Sequence, residues 1–138
     1  MDNKIWTENI LRLVEEFSSE EFQKRVWVTG ETLYRSSYAE ALCQFFDMKV
    51  DQLIDVEWRQ VGLSESQRNK LALFRDALNM FNDKLPKNTS SESIINSADW
   101  VRIRQLAKES LEEFLPPKGI YHQQYIKDWW ITPPNVVI

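Results

Sequence analysis

The sequence predicts an all-α, single-domain bundle of about five or six helices with an aromatic C-terminal tail. Three observations carry that expectation. Apolar residues recur at steps of three and four over most of the chain. Only three glycines and five prolines are present, too few for the turns of an all-β fold. Serine precedes several apolar periods and is followed three residues on by Glu or Gln, at Ser18/Glu21, Ser37/Glu40 and Ser64/Gln67. That spacing lets side chain and backbone satisfy each other's orphan donors at a helix start. Six Trp, seven Phe and four Tyr among 138 residues supply enough apolar area for a core without disulfides or a structural metal. Residues 1–138 read as one domain, with 117–138 a tail packing on the bundle, and no internal repeat or dividing linker intervenes.

In chain order, Trp6, Ile10, Leu13, Val14 and Phe17 define the first helix. The Ser18/Glu21 cap, with Phe17 and Phe22 at staple positions, starts a short second helix to about Trp27. Helical period is then lost, a short strand over 26–29 is an option, and Gly30 marks a turn. Tyr38, Ala41, Leu42, Phe45 and Phe46 give a wide apolar face to the helix that Ser37 opens. Residues 49–63 read as one kinked helix or two short ones, ending at Gly62. The longest and best-marked helix spans 64–85, with Leu71, Phe74, Leu78, Phe81 and Leu85 on one stripe and Pro86 forbidding its continuation. This helix is expected to be central, with the last helix antiparallel to it. Residues 86–96 are polar and serine-rich and read as a loop pinned by Ile94 and Ile95. Ser97 caps the last strong helix, carrying Trp100, Ile103, Ala107, Leu111 and Phe114, which Pro116 and Pro117 stop. A short helix is expected around 121–129.

Composition narrows the function classes. Cys43 is the single cysteine, so nothing requires an oxidising compartment. No signal-peptide pattern and no apolar run of membrane-spanning length is visible, which makes the cytoplasm the expected location. The net charge of −4 is unevenly spread. Residues 1–60 carry twelve Asp or Glu against seven Lys or Arg, and residues 61–138 nine against ten. An acidic N-terminal half has the wrong sign for nucleic acid and the right one for a basic protein partner. No basic amphipathic helix supports a membrane-surface role.

Few residues point to chemistry. Isolated Gly30, Gly62 and Gly119 build no nucleotide-binding loop. One Cys and one His cannot complete a four-ligand zinc site. Cys43, beside Leu42 and Phe46, reads as an inert core thiol rather than half of a nucleophilic pair with His122, itself a surface or packing residue. No cue selects a carboxylate pair for glycoside chemistry. Asp47, Asp51 and Asp55 recur every four residues, with Glu57 following, so on a straight helix the three aspartates stack on one face. That pattern is read as a solvated face, an acidic docking ridge for a basic partner, or a carboxylate cation site. In the tail, Tyr121, Tyr125, Trp129 and Trp130 either close the core or are exposed anchors, and Pro133–Pro134 is a weak proline-ligand signal.

Residues 25–47, RVWVTGETLYRSSYAEALCQFFD, with the later FRDALNMF and DWVRIRQLAKESLEEF, resemble a pattern in small, poorly characterised bacterial helical proteins. Proteins of this size and character include immunity proteins that bind and block a cognate toxin. The resemblance implies that role, supplies no catalytic residue, and does not extend into the tail after Pro116. The functional expectation is therefore a non-enzymatic inhibitor without cofactor or metal, monomeric or homodimeric. Its contact surface would comprise Asp47, Asp51, Asp55 and Glu57, with Glu31 and Tyr34 in the nearby irregular segment. The alternative is a structural or adaptor subunit that self-associates through its aromatic tail.

Overall fold

The Asp2 carboxylate accepts hydrogen bonds from the backbone N–H groups of Lys4 and Ile5 and starts the first helix of the computed structural model, α1 (Asn3–Ser18). The structure describes residues 2–30 and 36–123. Ser19, rather than the expected Ser18, caps the next helix by accepting from the Phe22 N–H. Ser18 is buried instead, and its hydroxyl donates to the Glu15 carbonyl. Three α-helical residues (Glu20–Phe22) then widen into a π-helix (Gln23–Thr29), and the two together form α2. Bonding from i to i+5 changes the helical repeat, which is why the 3.6-residue period fades there. The strand considered for residues 26–29 is this π-helix. It ends at Gly30, whose φ of 65° is the left-handed value that glycine adopts without penalty.

Ser37 caps α3 (Tyr38–Asp47). Lys49, at φ 58°, turns the chain into α4. Its α-helical start (Val50–Gln52) passes through a π-helix (Leu53–Glu57) to an α-helical end (Trp58–Val61), closed by Gly62 at φ 98°. The Ser64/Gln67 capping box is complete in both directions and opens α5 (Glu65–Lys84). The segment read as a loop holds a short helix, α6 (Ser91–Ile95), capped by Ser90 and anchored by buried Ile94 and Ile95. Ser97 caps α7 (Ala98–Glu112). The described residues thus form an all-α fold of seven helices, with no strand.

The centre of this fold is α7, not α5 as the length of its stripe implied. α7 lies against α1 on one side and α5 on the other, while α3 joins α1 and α6 joins α2. Residues 13–18 of α1 are all buried, so this helix end is enclosed on every side. Phe17 lies at the hub of an aromatic cluster, its ring 5.6–6.1 Å from those of Phe74, Phe45, Trp27 and Trp100. Edge-on and tilted ring pairs of this kind add about 1 kcal/mol each to the burial of their area. Within the core, the Gln23 side chain is paired at both ends. The Gln23 amide donates to the Glu16 and Phe17 carbonyls at 2.9 and 2.8 Å, and its oxygen accepts from the Trp100 indole at 2.8 Å. One buried side chain therefore ends α1, fixes the start of α2 and orients Trp100.

Candidate partner-binding site

The expected acidic ridge is not a straight stack. Asp47 ends α3, the left-handed Lys49 separates it from Asp51, and Asp55 and Glu57 lie in the π-helical part of α4. The break and the wider π-turn send the carboxylates in two directions.

One group faces α5. The Arg75 guanidinium, whose side chain is only 10% exposed, donates to Asp51 at 2.9 Å, to both Asp55 oxygens at 2.9 and 3.0 Å, and to Asp76 at 2.9 Å. Arg68 adds a hydrogen bond to the Ile54 carbonyl at 3.1 Å and an ion pair to Asp55 at 3.7 Å. Burial works against the Arg75 charge, but the hydrogen bonds to Asp55, Asp76 and Asp51 outweigh it and hold the guanidinium charged. The hydrogen bond from Arg75 in turn holds the Asp55 carboxyl below its ordinary value of 3.8. Asp55 is thus occupied in tying α4 to α5.

The other group faces outward. Asp47, Asp51 and Glu57 line an open groove of about 770 Å³, together with Lys49, Met48, Gln52, Asn3 and Trp6. Three carboxylates against one ammonium leave the groove formally at −2. Gln52 donates to Glu57 at 3.0 Å, orienting one carboxylate, while Asp51 keeps 64% of its side chain exposed despite its bond to Arg75. The Trp6 indole donates to the Met48 carbonyl at 2.7 Å, which fixes its ring at the groove wall and fastens α1 to the α3–α4 junction. The arrangement is chemically suited to a cationic side chain, which gains charge-assisted hydrogen bonds to the groove carboxylates; Trp6 is 8% exposed and offers only an edge to the groove. Glu31 and Tyr34 lie outside the described residues.

Cys43 is exposed, which corrects its reading as a core residue. α3 turns Tyr38, Ala41 and Phe45 inward, at steps of three and four, and leaves Leu42 and Phe46 only partly covered. Two positions from Ala41 and Phe45, Cys43 falls on the far side. His122 is exposed. Of the tail aromatics, Tyr121 is buried and its hydroxyl donates to Glu15 Oε1 at 2.8 Å. Burial first, then the Glu15 carboxylate, push that phenol well above its ordinary range. Residues 119–123 are not helical, and Tyr125, Trp129, Trp130, Pro133 and Pro134 lie outside the described residues.

Sequence reasoning missed Trp6 as a groove residue, Arg75 as the partner of the ridge, and Glu15 and Glu16 as buried carboxylates. Glu15 and Glu16 follow the apolar stripe of α1 and look solvent-facing, because periodicity does not show a helix enclosed on all sides. Ser36 reaches Glu16 at 3.2 Å. Among the described residues, no group of His, Cys, Asp and Glu is arranged to hold a metal ion, and no helix is long and apolar enough to cross a membrane. No family model, curated protein or solved structure matches the chain.

Proposed function

We propose that the chain is a non-enzymatic inhibitor of the immunity type, which acts in the cytoplasm by covering the active site of a cognate basic bacterial toxin. The observation that supports this reading is the acidic groove, where Asp47, Asp51 and Glu57 surround a surface walled by Trp6 and Met48. Basic side chains that a nuclease or similar toxin holds around its own substrate site are the complement of such a groove. Long-range attraction speeds the encounter, and charge-assisted hydrogen bonds to the groove carboxylates contribute short-range affinity. Asp55 drops out of the contact surface in this reading, because its role is to hold Arg75.

The test separates recognition from folding. Asp47→Lys with Glu57→Lys removes two groove carboxylates and spares Asp51 and Asp55, so the Arg75 cluster remains. The native chain, tagged and used as bait at low salt, is expected to retain one stoichiometric basic protein, to release it at moderate salt and to block its activity. The double variant is expected to associate at least about tenfold more slowly and with weaker salt dependence, at unchanged helical content. Equal binding by both forms sinks the placement, and recovery of the bait alone removes the inhibitor reading.

A further inference from the structure

We draw no further inference here: the strongest candidate, the apolar groove between α5 and α7 lined by Leu73, Ala77 and Met80, carries nothing, because no feature of the structure shows what covers it.

Discussion

Arg75 shows how one side chain decides what its neighbours are for. Four hydrogen bonds of 2.9–3.0 Å join it to Asp51, Asp55 and Asp76, so a guanidinium with 10% exposure satisfies three carboxylates that are each about half-exposed or more. Because the acids remain wet, they rehydrate when Arg75 is removed, and the loss is smaller than for a fully buried pair. Arg75→Met is therefore expected to destabilise the fold by about 1–2 kcal/mol in urea melts, rather than the roughly 3–5 of a buried ion pair. The same cluster sets an acid limb. The folded-state value of Asp55 lies below its ordinary 3.8, so its contribution is complete above that value. It is lost as pH falls through the lower folded value, when protonation breaks the bonds to Arg75. Urea midpoints of the native chain are expected to drop from about pH 4 downward, and those of Arg75→Met to drop less steeply. Equal slopes in the two proteins would show that Asp55 and Arg75 are not coupled in solution.

At the scale of elements, helix starts are set locally and helix interiors are not. The Ser64/Gln67 box is legible four residues at a time because both bonds fall within one turn, Gln67 N–H to the Ser64 hydroxyl at 3.1 Å and Ser64 N–H to the Gln67 side chain at 2.8 Å. Gln67 also reaches the Glu113 carbonyl at 3.0 Å, so this cap fastens the start of α5 to the end of α7. Ser64→Ala is expected to cost about 1 kcal/mol, with hydrogen exchange rising in the first turn of α5 more than in its middle. A uniform rise along α5 would mean that the cap acts on global stability alone. The two π-helices were not visible in this way. An i→i+5 turn contains no residue type of its own, and it is selected by how the flanking turns are packed. In α4, Asp55 faces Arg75, Glu57 lines the groove, and Asp51 does both.

For the whole molecule, stability concentrates where α1, α3, α5 and α7 meet around Phe17. Its ring has no exposed surface and lies among four other aromatic rings, two of them on α5 and α7. Phe17→Ala is expected to cost about 4 kcal/mol, because a cavity between four large rings does not collapse readily. Against a total of about 5–15 kcal/mol for a domain, that is a large share, and a calorimetric melt measures it. A loss under about 2 kcal/mol would mean that the cluster repacks. Two surface grooves differ in charge, the one beside Trp6 acidic and the one along α5 neutral.

By itself the sequence determined the all-α class, the capped starts of α3, α5 and α7 and the inward stripes of α1, α3, α5 and α7. All of these are written within a few residues, as caps and as steps of three and four. The tertiary structure alone decided that α7 is central, that Cys43 faces outward, that Glu15 and Glu16 are enclosed, and that Asp55 serves Arg75 twenty positions away. Those outcomes depend on which helix lies against which. A helical period gives the direction of a side chain from its own axis, and never what stands opposite.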